Sequence, residues 1–207
     1  MDTLAELIDP AHTSIICMEM ERGVGGDLSM WPPLRDVVME SGLINRCSTL
    51  FRAARDRGIH VVHCTAAFRP DRAGSPRNMP HLRPFLADPS YLAVGTPVVE
   101  VIPELWDPRD MESQRLHGIS PFHGTSVDPW LRSFGTKTVI VTGVSLNRGI
   151  IGTSMEAVNH GYHVVVPRDC ALGYPQEYGE MVLKHTLDGL CTLTTADELM
   201  TLWSSAT

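Results

Sequence analysis

The stretch Lys137-Thr138-Val139-Ile140-Val141-Thr142-Gly143-Val144-Ser145-Leu146-Asn147-Arg148-Gly149 decides the fold class. Residues 137–143 are dominated by β-branched side chains with no polar alternation, the pattern of a strand buried on both faces. The run gives way to a glycine-bearing turn and then to residues 150–160, where helical spacing continues until Gly161. Strand, tight turn and helix in this order form one half of a parallel βαβ unit. Outward from it the alternation repeats. Residues 14–18 predict a strand, 36–57 one helical stretch closed by Gly58, and 59–64 a second strand. On the other side, 162–167 and 191–195 predict strands, with helices at 176–190 and 196–204. The whole predicts an α/β fold, three layers with a mainly parallel sheet between helices. There is no repeat, low-complexity tract or linker, so residues 1–207 are expected to form a single domain.

Composition narrows the function. Of 207 residues, 43% are hydrophobic and 20% charged, and 17 Lys+Arg against 24 Asp+Glu leave a net charge of −7. That balance argues against a surface that tracks phosphates, so no nucleic-acid partner is expected. No apolar run approaches the roughly 18 residues of a membrane span, and the acidic opening MDTLAELIDPAH differs from a secretory signal. Five scattered cysteines without a C-x-x-C pair suit reduced thiols in a cytoplasmic protein better than a disulfide framework or zinc site.

Parallel sheets bind ligands outside the carboxyl ends of their strands, and those ends carry the candidate residues. Glu19 follows the first strand. A carboxylate there is costly to desolvate unless paired or functional, and burial would lift its pKa toward the range of a general acid or base. The alternative is a solvated side chain or a helix cap. Glu21, two residues on, reads as a surface or interface residue. The turn of residues 144–149 could aim N–H groups at an anion or a developing oxyanion, or Ser145 or Asn147 could merely cap the helix. Upstream, Arg115, His117 and His123 lie near the sheet's mouth and could supply a cation or a proton carrier, although a histidine is more often structural. The proline-rich residues 66–110 predict long loops that shape the binding site.

Several segments in order resemble the isochorismatase-like hydrolases, or cysteine hydrolases, from about residue 12 to 203. They are Ser120-Pro121-Phe122-x-Gly124-Thr125, then Leu131-Arg132, then Val139-Ile140-Val141-Thr142-Gly143-Val144-Ser145-x-Asn147, then Thr153, Ala157, Gly161-Tyr162-x-Val164 and Asp169. Ile15-Ile16-Cys17-Met18-Glu19-Met20-Glu21 lines up with a family strand ending in Asp-Met-Gln. The resemblance implies six mainly parallel strands, a pocket at their C-terminal ends, a cis Val144–Ser145 peptide, and a homodimer or homotetramer. Trp31, Trp106, Trp130 and Trp203, which a small monomer would struggle to bury together, point the same way.

It also implies catalysis by Asp, Lys and Cys, and this chain departs at all three positions. Glu19 takes the Asp slot, the Lys slot falls on Leu116, and Gly149 takes the Cys slot. The chain has only two lysines, Lys137 and Lys184, and neither can serve. The family's metal-binding Asp-x-His corresponds to Ala66-Ala67-Phe68, so neither a metal nor another cofactor is expected.

Isochorismatases resemble this chain in carrying glycine at the nucleophile slot and hydrolyse a vinyl ether, which needs a proton donor more than a nucleophile. One reading is therefore a hydrolase of a small molecule without covalent catalysis. Glu19 and His117 are its candidate catalytic residues, with Arg115 another candidate for the missing cation. Phe68, Phe122, Val144, Ser145, Asn147, Arg148 and Gly149 join Arg115 around the substrate. Without the family lysine, Glu19 would act as an acid near neutrality; Arg115 or Arg148 turning inward would make it a base instead. The competing reading is a member that kept the fold as a binding or scaffold protein. A third, acyl transfer by Cys17 or Cys64, is disfavoured by their position inside strands.

Overall fold

In the computed structural model, residues 3–205 are described. A short helix α1 (Leu4–Leu7) precedes β1 (Thr13–Met18), followed by α2 (Pro32–Glu40), α3 (Leu43–Arg55) and β2 (His60–Ala66). Then come α4 (Arg83–Leu86), β3 (Met111–Arg115), α5 (Val127–Ser133), β4 (Thr138–Val144) and α6 (Ile151–Asn159). The chain ends with β5 (His163–Pro167), β6 (Ala171–Leu172), α7 (Gln176–His185), β7 (Thr192–Thr194) and α8 (Ala196–Ser205).

The strands form one parallel sheet in the order β3-β2-β1-β4-β5-β7, and β6 pairs with the end of β4 beyond the reach of β5. This is the expected α/β sheet, with the two-residue β6 as a seventh strand. Alternation along the strands divides the core. Ile15, Cys17, Val61 and Ile140 pack with Leu50 and Phe51 of α3 and Leu199 and Trp203 of α8. Ile16, Met18, Val62, Val139 and Val141 pack on the other face with Leu131 of α5, Ala157 of α6 and Leu183 of α7. Each fully buried side chain of this size contributes about 1.5–3 kcal/mol of transfer free energy, so these two layers fix the sheet that carries the site.

Several boundaries differ from expectation. The stretch 36–57 is two helices, because Gly42 adopts φ +76°, which a continuous helix cannot contain. Residues 176–190 break after His185, where Leu187–Gly189 tighten into a 3-10 turn. The tryptophans do not demand a partner: Trp203 is buried, Trp31 and Trp130 are half-buried, and Trp106 keeps 43% of its surface exposed. No helix among the described residues is long and apolar enough to cross a membrane.

Residues 66–110 form loops around α4, as their prolines foretold, and close over the strand ends with a small core of Ala66, Ala67, Phe68, Leu92 and Val99. Arg72 binds this loop to itself by donating to the carbonyls of Asp88 and Tyr91.

Candidate active site

Three chain segments meet at the C-terminal edge of the sheet. Glu19 leaves β1 in a left-handed conformation, φ +51°, and its N–H donates to the Cys64 carbonyl at 3.0 Å. That conformation is uncommon for a residue with a side chain and is typical of functional turns. Beside it, near the end of β4, Gly143 has φ +100°, and a β-carbon there would stand 2.2 Å from the Met18 carbonyl oxygen. Only glycine lets β4 lie this close to β1. The Val144–Ser145 peptide is cis, as the resemblance implies, and residues Leu146–Ile150 coil in a wide π-type turn into α6.

The third segment is the end of β3. Its side chains alternate, with Ser113 and Arg115 buried and Gln114 and Leu116 exposed. Leu116, on which the family's lysine slot falls, therefore points outward. Arg115 points inward: Nη2 donates to Oε1 of Glu19, Nε to the Gly118 carbonyl at 3.3 Å, and Nη1 to the Thr65 carbonyl at 3.5 Å. The Arg115 and Glu19 side chains keep only 4% and 19% of their surface in water, so this ion pair is well shielded.

The other carboxylate oxygen of Glu19 faces the glycine of the turn. A β-carbon built on Gly149 would lie 3.5 Å from Glu19 Oε2, 3.4 Å from Met18 Cε and 3.0 Å from the Val144 carbonyl oxygen. Glu19 and Ser145 border a cavity of about 80 Å³, enough for a handful of waters or one small molecule. Glu19, Arg115, Ser145 and Arg148 lie toward its polar side, and Trp31, Phe68, Phe85 and Tyr91 are prominent in its apolar wall. His81 also faces it, with burial first and the Arg148 charge second pushing its pKa below the ordinary value.

The structure thus brings Glu19, Arg115, Phe68, Ser145 and Arg148 to one cavity, while Gly149 is buried behind Glu19 and does not line it. It does not bring His117 there. That side chain is exposed and its ring rests against His123, 5.7 Å between centroids, because it lies beyond the last inward position of β3. Phe122 is likewise elsewhere, packed in the core and stacked on His160 at 5.1 Å. Val144 is buried under the turn, and Asn147 turns to the Tyr174 carbonyl at 3.4 Å, so neither side chain lines the cavity. Within the turn, the N–H groups of Arg148 and Ile150 donate back to the Ser145 carbonyl.

Glu21 corrects the sequence reading most sharply. It is fully buried, because residue 21 bridges to Val101 and its Oε1 accepts the Ala66 N–H at 3.0 Å. Its Oε2 has no hydrogen-bond partner among the described residues. Burial, then the Glu19 charge, push its pKa up to about 8, against the opposing pull of the Ala66 N–H and Arg115. The signal for it was its alignment with a glutamine, a neutral side chain of the same length.

No cysteine reaches the cavity wall. Burial raises the pKa of Cys17, a Cys170 contact and burial raise Cys47, and burial lifts Cys64 and Cys191 to about 12. At the positions corresponding to the family's metal ligands, Ala66, Ala67 and Phe68 are apolar and buried and offer no donor side chain. Among the described residues no group of three or more His, Cys, Asp or Glu stands together as a metal site would require.

The isochorismatase domain model matches residues 13–198. Maleamate amidohydrolase of Pseudomonas putida is 24% identical over 127 residues, 61% of this chain and 58% of that protein, so the match spans little more than half of that relative. A cysteine hydrolase structure from Pseudomonas syringae pv. phaseolicola superposes with a TM-score of 0.79 at 23% identity, covering 97% of this chain and 96% of the other. An isochorismatase family protein from Burkholderia thailandensis gives 0.77 at 21% identity, with coverage of 94% and 97%.

Proposed function

The chain belongs to the isochorismatase domain family, and on that premise we propose that it hydrolyses a small molecule without a cysteine nucleophile. The observation that carries this reading is the carboxylate of Glu19, which lines the cavity beside Ser145 and has one oxygen turned toward Gly149 of the turn. A water molecule there would lie between a proton acceptor and a substrate held above the turn.

In this reading Glu19 is the general base, the role expected when a guanidinium turns inward beside it. The Arg115 contact holds one carboxylate oxygen, leaving the other to accept a proton from water. The water oxygen attacks the substrate's electrophilic carbon. Glu19 then returns the proton to the leaving group, so that one water is consumed and the residue is regenerated. Charge developing on the attacked group is met by the turn. Because the Arg148 and Ile150 N–H groups are engaged with Ser145, the oxyanion cradle rests on the turn's other N–H groups. His117 and Phe122 have no part in this scheme. The partial match to an amidohydrolase supports a C–N bond as the one broken.

The test is a panel of amides, cyclic imides, vinyl ethers and lactones, run on the wild-type chain beside Glu19→Gln. Turnover by the wild type and a loss of about 10²–10⁴-fold in the variant are expected for an acid–base residue. Ligand binding in the cavity without turnover of any class would replace this reading with that of a binding protein. We also propose that residues 1–207 act as one domain in a cytoplasmic homodimer or homotetramer, which light scattering would check. Exposed Trp106 is the remaining tryptophan support for association.

A further inference from the structure

Four side chains on the cavity wall can carry charge: Glu19, Arg115, Arg148 and His81. Glu19 and Arg115 neutralise one another. His81 is held toward its neutral form, its ring edge-on to Trp31 at 5.1 Å. Arg148 is different. Its guanidinium lies over the Trp31 ring at 5.9 Å, and it makes no ion pair among the described residues. An arginine half-withdrawn from water without a counterion is costly, and contact with one aromatic face compensates only in part. The surrounding wall is flat and apolar, with Phe85 and Tyr91 stacked at 5.0 Å and Phe68 against Tyr91 at 6.1 Å. Arg148 lines the same small cavity as Glu19, so one small molecule can meet both side chains.

We propose that the cavity selects a flat, unsaturated or aromatic carboxylate, and that Arg148 is the residue that selects it. The guanidinium takes the carboxylate as a planar fork, and the apolar body lies among Trp31, Phe68 and Tyr91. The susceptible bond then points to Glu19. This deepens the hydrolase reading and rests on it for the chemistry, but the binding claim stands apart from turnover.

Benzoate and benzamide, alike in shape and different in charge, are suitable probes, titrated calorimetrically against the wild type, Arg148→Gln and Arg148→Lys. The wild type is expected to bind benzoate more tightly than benzamide. Arg148→Gln should weaken benzoate by about 10- to 100-fold, the range for a charge-assisted hydrogen bond, while leaving benzamide little changed. Arg148→Lys keeps the charge and should retain a measurable part of the preference, which holds the test open if the glutamine variant fails to fold. Equal affinity of the two probes for the wild type, binding of neither, or equal losses for both in the variants overturns the proposal. Arginine-dependent benzoate binding without turnover on the hydrolase panel would sink the hydrolytic reading while leaving this one in place.

Discussion

Glu19 Oε2 lies 3.5 Å from the point that a β-carbon on Gly149 would occupy. The carboxylate and the missing side chain therefore share one small volume, and a cysteine there would meet Glu19 directly.

Gly149→Cys should consequently fold and place a thiol against the Glu19 carboxylate. The glycine has no positive φ, and its built β-carbon is crowded only by the Val144 carbonyl at 3.0 Å and Met18 Cε at 3.4 Å. Shifts of a few tenths of an ångström relieve those contacts, at a cost of about 1–3 kcal/mol. Urea unfolding should show a single cooperative transition weakened by about that amount. Failure to fold, or a loss well above it, would contradict this.

The Glu19–Arg115 pair should show strong coupling. Removing the guanidinium alone, by Arg115→Met, leaves a largely buried carboxylate without its partner and should cost about 3 kcal/mol in urea unfolding. Adding Glu19→Gln should recover part of that loss, because the orphaned charge is gone. Additive losses in the double-mutant cycle would mean that the pair is not coupled.

Glu21 makes stability depend on pH with a definite sign. Its folded pKa is raised, so the folded chain holds a proton that the unfolded chain has released between about 4.5 and about 8. Stability from this group is fully present below the lower value and declines as pH rises through the upper one, by up to about 1.4 kcal/mol per pH unit within the window. Glu21→Gln, which mimics the neutral acid, should remove that decline. Parallel stability-against-pH curves for the two proteins would rule it out.

His117 and Phe122 separate exposure from burial. His117→Ala should change stability by no more than about 0.5 kcal/mol. Phe122→Ala should cost about 3–5 kcal/mol, as a buried ring that stacks on His160. Thermal unfolding decides both, and a large effect at His117 would place it in contacts this structure lacks.

The central strands were legible because each is built around a short apolar run rich in β-branched residues, Ile15-Ile16, Val61-Val62 and Val139-Ile140-Val141, without the polar alternation of a half-exposed strand. β3 was not legible as a strand. It lies at the sheet's edge, and its polar Met-Glu-Ser-Gln-Arg sequence carries no such run. That concealed its alternation, which selects Arg115 over Leu116 as the inward residue. Glu19 and the 145–149 turn could be found from topology alone, since strand ends gather at one edge. Glu21 could not, because its burial depends on Ala66 and Val101, which are 45 and 80 positions away in the chain.

The measurement that bears most directly on Glu19 as a base is a single turnover in ¹⁸O-labelled water, using whichever panel substrate the wild type accepts. Intact-mass and peptide analysis then follow the protein itself. If Glu19 activates water, the protein forms no covalent adduct and the peptide bearing Glu19 keeps its mass, while the label enters the product. An adduct on the chain, or ¹⁸O in the Glu19 carboxylate, would contradict the mechanism, because either requires a side chain to have attacked the substrate.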